Sequence, residues 1–135
     1  MGQLDWLLNS LTSIVAGVRG VVILSPDGLP LGQSSGLPDD DAHQLAALAA
    51  GANGLSRAAG QRFGFGEVSQ TIVEMDAALL FITPAGRGTC VALLAEAGPG
   101  TDAGQIAYEL SELVKRVGKH MIADPRFPVR AAVTG

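Results

Sequence analysis

The sequence predicts an α+β domain in which helices cover both faces of a five-stranded, mostly antiparallel sheet. Three observations lead to this fold class. Three short segments are apolar throughout, which is typical of strands buried on both faces. Two further segments are half polar or contain proline, as expected for strands at a sheet edge. Three longer segments place apolar residues at helical spacing, and the resulting order is helix, strand, strand, helix, strand, strand, strand, helix.

The chain opens with a predicted helix that leads into a strand hairpin. Apolar residues recur at helical spacing at Leu4, Leu7, Leu8, Leu11, Ile14 and Val15. Trp6 falls beside this stripe and is interpreted as partial cover over the core edge, with contact to a partner as the alternative. The hairpin runs from Val18 to Gly32 and turns at Ser25-Pro-Asp-Gly28. Because Pro30 cannot donate to a strand ladder, the returning strand is expected at a sheet edge.

A long second helix is predicted from Asp39 to about Arg62, with two packed faces. The three aspartates at its start suit the positive end of the helix dipole, and a metal site is the less favoured reading. One stripe, containing the leucines, is expected to face the sheet: Leu45, Leu48, Ala49, Ala52, Leu55 and Ala59. A second, mostly small face is expected to meet another surface: Ala46, Ala50, Asn53, Gly54, Arg57 and Ala58.

Three strands are predicted after this helix. Residues Glu67–Glu74 form the half-polar one, in which Val68 and Ile72 share a face with Gln70. The next two, residues 77–83 and 89–95, are apolar and predicted to be buried. Cys90 lies within the second of these and is interpreted as a small core residue rather than a nucleophile.

The last helix is predicted to start after Asp102, which can form a capping box with Gln105. Glu112 is expected to face Arg116 one turn further on. Residues 1–123 are therefore interpreted as a single domain, and residues 124–135 as a flexible, proline-broken tail.

The net charge, the cysteine count and the missing catalytic motifs exclude several classes of function. The formal net charge is −4, whereas general nucleic-acid binding requires a basic surface. A single cysteine excludes an internal disulfide and a cysteine-based metal cluster, and it favours a reducing, cytoplasmic setting. The chain has no phosphate-binding loop, no GxSxG elbow and no HExxH pair. The sequence therefore predicts a binding module without catalytic residues, cofactor or metal.

The order of elements resembles the Roadblock/dynein light-chain family, and its bacterial branch in particular. The resemblance covers roughly Gln3 to Ile122 and is carried by the segments GVVILSPDGLPLG and PDDDAHQLAALAAG. It implies a homodimeric, non-enzymatic adaptor or regulator of a small Ras-like GTPase in a bacterial signalling system. Similar actinobacterial proteins accompany a sensor-kinase-like protein, so recruitment to the inner membrane face by partners is also implied. A small-ligand sensor module is the alternative.

The two sheet edges predict how a dimer forms. The strand from Glu67 to Glu74 contains no proline, lysine or glycine across residues 68–73, so it is free to pair with its own copy. Antiparallel pairing about a two-fold axis would join two sheets into one of about ten strands. The residues expected at this interface are Ala46, Ala50, Asn53, Gly54, Arg57, Val68, Gln70, Thr71 and Ile72.

Overall fold

The computed structural model describes residues 3–123 of the chain. Within that range, the helices and strands follow the predicted order. Their bounds are α1 Gln3–Ile14, β1 Val18–Leu24, β2 Pro30–Gln33, α2 Asp39–Phe63, β3 Thr71–Glu74, β4 Ala78–Gly86, β5 Thr89–Glu96 and α3 Ala103–Ala123. None of the described helices is both long and apolar enough to cross a membrane. The tail predicted for residues 124–135 lies outside the described residues.

The five strands form one sheet in the order β2-β1-β5-β4-β3, and every neighbouring pair is antiparallel. This arrangement confirms the predicted fold class. The three apolar strands occupy the centre of the sheet, where both of their faces are covered. The two strands predicted at the edges, β2 and β3, lie there.

The β1–β2 hairpin turns as its sequence predicts. Gly28 donates its N–H to the carbonyl of Ser25 at 2.9 Å and has a φ of +83°, which glycine adopts without strain. The Ser25 hydroxyl donates to the Asp27 carboxylate and accepts from the N–H of Leu29. Beyond the turn, Leu24 lies opposite Pro30 at a register shift. The proline thus stands where the ladder is already irregular.

Alternation along β1 explains why all of its last four residues are apolar. Val21 and Ile23 belong to the core under α1 and α3, whereas Val22 and Leu24 belong to the core under α2. All four side chains are buried. The prediction that this strand is buried on both faces is confirmed.

The core on the α1 and α3 side contains most of the predicted α1 stripe. Leu4, Leu7, Leu8, Leu11 and Val15 are buried there together with Phe81, Leu93, Ile106, Leu110, Leu113 and Val117. Ile14 departs from the prediction, because it is the last residue of α1 and is 49% exposed. Trp6 is 58% exposed and lies outside this core.

Helix α2 packs on the other face of the sheet through a narrow stripe of mostly small residues. Its buried members are Ala42, Leu45, Ala46, Ala49 and Asn53. Leu48 and Leu55, which the sequence assigns to the sheet side, are 65% and 76% exposed, so that assignment is wrong. The facing strands supply the larger side chains, Val22 and Leu24 among them, so alanines fill the remaining space in this layer.

The helix ends follow the sequence signals with one correction. The Asp102 carboxylate accepts the N–H of Gln105 at 3.1 Å, which caps α3. Gly64, with a φ of +72°, ends α2. Glu112 pairs with Lys115 at 3.0 Å rather than with the predicted Arg116, since residues three apart are also neighbours on a helix.

Strand β3 is shorter than predicted and begins at Thr71 instead of Glu67. Thr71 lies opposite Ile82, so extending the ladder would place Ser69 opposite Pro84. Pro84 has no N–H to donate, and a register shift follows it in the β4–β5 pair. The pairing of β3 with β4 therefore ends where β4 can no longer support it.

Candidate functional site

The free edge of the sheet lies along β3. Met75 donates its N–H to the carbonyl of Ala78 at 2.9 Å, and hydrogen-bonding positions alternate along an antiparallel strand. The backbone N–H groups of Ile72 and Glu74 therefore point away from β4. Within residues 3–123, no side chain accepts a hydrogen bond from either group. Such an edge can pair with another strand.

The opposite edge, along β2, is closed by α1. Asp5 accepts the N–H of Gln33 at 3.0 Å, and Asn9 accepts the N–H of Ser35 at 2.6 Å. Pro30, the first residue of β2, has no backbone N–H to donate to an incoming strand. The two edges consequently differ: side chains of α1 accept the N–H groups of Gln33 in β2 and of Ser35 two residues further on, whereas the outward N–H groups of β3 have no side-chain acceptor within residues 3–123.

Most of the large exposed apolar residues belong to the middle of the chain, between the start of α2 and the end of the turn after β3. These are Leu48, Leu55, Phe63, Phe65, Ile72, Val73 and Met75, drawn from α2, β3 and the segments that follow each of them. Exposed apolar side chains mark an interaction site when several of them lie on neighbouring elements. The concentration of exposed apolar side chains makes this region the candidate functional surface.

One side-chain hydrogen bond fixes the position of α2 relative to β3. The Thr71 hydroxyl donates to the Ser56 hydroxyl at 3.0 Å. The flank of α2 that carries Ser56 therefore faces β3, and Leu55 lies on the outer side of this flank. Leu48, two turns earlier, projects in nearly the same direction as Leu55. We call Leu48, Leu55 and the β3 strand the edge surface.

The structure separates the helical residues predicted at the interface. Ala46 and Asn53 are buried beneath α2 and present almost no surface to another chain. Ala50 is half-buried and lies beside the β1–β2 turn. The Cβ of Ala50 is so close to Gly28 that a Cβ added to this glycine would lie 3.2 Å from it. Gly54 and Arg57 are exposed. Arg57 projects on the Ala50 flank rather than the Ser56 flank, so it points away from β3.

The strand residues predicted at the interface lie together at the open edge. Val68, Gln70 and Thr71 are half-buried, and Ile72 is 52% exposed. Thr71 shares the α2 face of the sheet, as its bond to Ser56 shows, and Ile72 projects from the other face.

Sequence reasoning missed Leu48 and Leu55 as surface residues. The signal that identifies them is the second stripe, in which Ala42, Ala46, Ala49 and Asn53 recur at three- and four-residue spacing. A helix with a narrow run of small residues can approach a sheet closely through that run. Its leucines are then left on the outside.

The candidate surface carries no constellation for catalysis. Over residues 3–123, no three His, Cys, Asp or Glu side chains group in a way that could hold a metal ion. His43 Nδ1 contacts the carbonyl of Asp39 within the first turn of α2, at 2.9 Å. Cys90 is buried, and burial raises the pKa of its thiol, whereas a reactive cysteine has a lowered one.

Comparisons with known proteins agree with this architecture. A family model for the Roadblock/LC7 domain matches residues 4–95, more than half of the chain. A Roadblock/LC7 domain from Streptomyces avermitilis is 45% identical with a TM-score of 0.82, and the match covers 89% of this chain and 98% of that one. A second such domain from the same organism is 37% identical with a TM-score of 0.70, over 86% and 99% of the two chains.

More distant structures share the fold at low identity. Myxococcus xanthus MglB is 15% identical with a TM-score of 0.80, and the match covers 92% of this chain and 98% of that chain. The curated proteins include no match. The family model and the Streptomyces domains establish the family independently of the distant fold matches. The chain belongs to the Roadblock/LC7 family.

Proposed function

We propose that the chain is a non-enzymatic, homodimeric regulator of a small Ras-like GTPase in a bacterial signalling system. Membership of the Roadblock/LC7 family supports the regulatory role. The single observation that carries the dimer is the contrast between the edges of the sheet. Asp5 closes β2 by accepting the N–H of Gln33, whereas the outward N–H groups of β3 have no acceptor among residues 3–123.

Pairing of β3 with its own copy satisfies these groups. Ile72 and Glu74 expose backbone donors and acceptors in the outward direction, and an antiparallel copy about a two-fold axis presents the same pattern. The joined sheet then contains ten strands. Because each chain contributes the same patch, the assembly closes as a dimer and leaves the β2 edges at its ends.

The helical part of the dimer surface differs from the one predicted from sequence. Leu48 and Leu55 lie on the outer flank of α2 toward β3, where a second chain would cover them. Leu48 also borders a groove of about 740 Å³ that Leu45, Ala77 and Leu94 help to line. Burying an exposed leucine stabilises an interface by about 1.5–3 kcal/mol. The leucines thus supply affinity, and the β3 ladder supplies register.

The partner and the cellular setting follow from the family resemblance. A dimer of this kind would act in the cytoplasm by holding a Ras-like GTPase, and its own residues would supply no phosphate-binding loop. A sensor-kinase-like protein is the second expected partner, and recruitment to the inner membrane face would then depend on these partners.

A reconstitution experiment tests the regulatory role. The purified chain is mixed with the Ras-like GTPase encoded nearest to its gene, loaded with GDP or with a non-hydrolysable GTP analogue. We expect a complex that depends on the bound nucleotide and a changed rate of GTP hydrolysis. Equal absence of binding in both nucleotide states, together with an unchanged hydrolysis rate, would contradict the proposal. The chain alone serves as the control and should show no turnover.

A further inference from the structure

A second feature of the molecule is a cleft of about 600 Å³ on the α2 side of the sheet. It lies between the C-terminal half of α2 and the β4–β5 hairpin. Asn53, Arg57 and Gln61, one turn apart from each other, line it from the helix, and Arg87 and Cys90 line it from the hairpin. This volume falls in the range of 300–1,000 Å³ that is usual for small-molecule sites.

Arg87 occupies a backbone position that arginine disfavours. Residues 87 and 88 form the two-residue loop between β4 and β5, and their φ values are +58° and +78°. Such a turn normally takes asparagine or glycine at its first central position. Arg87 is the one non-glycine residue with positive φ among residues 3–123. Strained positions of this kind are held by the surrounding structure, and they cluster at active sites and ligand-binding sites.

Asn53 contributes a buried polar group without a partner. The residue is 8% exposed, and its Oδ1 forms no hydrogen bond within residues 3–123. An unpaired buried acceptor costs about 1–3 kcal/mol. Asn53 is one of the lining residues of the cleft, and because the terminal torsion of asparagine is soft, the direction of this oxygen can change. A ligand donor there would remove the cost.

The charge of the cleft is opposite to that of the whole chain. Arg57 and Arg87 lie on two sides of it, and Glu67 is the acidic residue in its lining. The chain as a whole has a formal net charge of −4. Arg57 and Cys90 both line the cleft, and the charge of Arg57 lowers the pKa of the Cys90 thiol against the larger, opposite effect of burial.

We infer that this cleft binds a small organic anion, a carboxylate or phosphate ester of metabolite size, through Arg57 and Arg87. The planar guanidinium groups can each form paired hydrogen bonds to either kind of anion. Asn53 accepts a hydrogen bond from a donor on the rest of the ligand, and Gln61 can bond to its polar groups. This site corresponds to the small-ligand sensor that the sequence leaves as an alternative, and it does not depend on the proposed GTPase partner.

The two arginines lie apart from the edge surface, although the cleft also extends to Glu67 and Val68, which precede β3. Arg57 projects on the flank of α2 away from β3, and Arg87 lies at the hairpin beyond the end of the β3–β4 ladder. A dimer formed through β3 therefore leaves both arginines in place. Ligand binding and dimerisation can be measured separately.

The test uses thermal unfolding and calorimetry of the full chain with citrate, glycerol 3-phosphate and inorganic phosphate at constant ionic strength. We expect at least one of these anions to raise the Tm of the wild-type protein saturably. Citrate and the two phosphates distinguish the carboxylate from the phosphate source. Arg57→Gln should weaken the binding about tenfold or more, since it removes a charge-assisted hydrogen bond. Arg116→Gln, on α3, is the matched control and should bind normally.

Arg87→Gly separates binding from folding. Glycine accepts the positive φ at this position without strain, so this variant should keep the β4–β5 turn and the fold. It should nevertheless lose the anion-dependent rise in Tm. The inference is overturned if none of the three anions gives a saturable shift, or if Arg57→Gln and Arg87→Gly respond like the wild type.

Discussion

The carboxylate of Asp5 in α1 accepts the backbone N–H of Gln33 in β2 at 3.0 Å. A side chain near the start of the chain thereby occupies a donor that an incoming strand would otherwise use. Asn9, one turn later in α1, accepts the backbone N–H of Ser35 in the same way. These contacts leave β3 as the edge available for association, and they rest on residues that are 28 and 26 positions apart in the sequence.

Asp5→Ala removes the acceptor and leaves the half-buried Gln33 donor without a partner. We expect the free energy of unfolding to fall by about 1–2 kcal/mol, as measured by urea denaturation. Asp5→Asn keeps an acceptor oxygen at the same place and is the matched control. Equal stability of the alanine variant and the wild type would show that the bond contributes nothing.

Asp102→Ala removes the cap of α3, in which the carboxylate accepts the N–H of Gln105. The expected loss of stability is about 1 kcal/mol, again from urea denaturation. Asp102→Asn retains the cap oxygen and should lie close to the wild type. A loss of similar size in both variants would assign the effect to charge at the helix end instead of to the hydrogen bond.

Cys90 should resist alkylation in the folded protein and react after denaturation, because it is buried and burial raises the pKa of its thiol. The same shift makes stability depend on pH. Above the ordinary thiol pKa the unfolded chain loses this proton before the folded chain does, so the free energy of unfolding falls as the pH rises.

The Cys90→Ala variant provides the control for this effect. Its free energy of unfolding should decline less than that of the wild type between about pH 7 and pH 9.5, the range in which a free thiol ionises. Rapid labelling of the native wild-type protein, or identical pH profiles for the two proteins, would contradict the assigned burial.

The sequence was sufficient for the fold because the decisive signals are local. Four successive apolar residues at Val21–Leu24, followed by a Ser-Pro-Asp-Gly turn and Pro30, identify a central strand beside an edge strand. Helical spacing identifies α1 and α3 in the same way. Placing the apolar strands at the centre and the interrupted ones at the edges then identifies β2 and β3 as the edge strands, whereas the order of the three central strands is a result of the structure.

The candidate surface could be predicted less fully, because helix α2 carries two apolar stripes. Ala46 and Asn53 are buried between α2 and the sheet, whereas Leu48 and Leu55 are exposed on the outer side of α2. The sequence pattern predicts the reverse, with the leucines toward the sheet and the smaller residues away from it. Which stripe faces the sheet depends on the volume left by Val22 and Leu24, which lie far away in the sequence. The bond between Thr71 and Ser56 is likewise a tertiary contact that no spacing rule predicts.

Leu55→Glu tests the helical part of the proposed dimer. Leu55 is 76% exposed, so the substitution should leave the fold of each chain intact. It should raise the dimer dissociation constant about a hundredfold or more, since two leucines are lost from one symmetric interface. Tyr108→Glu, at a residue 63% exposed on α3, is the control and should leave the dissociation constant unchanged. Equal dissociation constants for the two variants would place the interface elsewhere.

The most direct measurement is sedimentation velocity of the wild type, Ile72→Pro and Leu31→Pro at concentrations on the order of micromolar. Ile72→Pro removes an outward donor of β3 and spares the ladder with β4, whereas Leu31→Pro places the same residue type in β2 at the other edge. We expect the wild type and Leu31→Pro to sediment at twice the 13.8 kDa chain mass, and Ile72→Pro at the chain mass. A dimeric Ile72→Pro together with a monomeric Leu31→Pro would contradict this expectation.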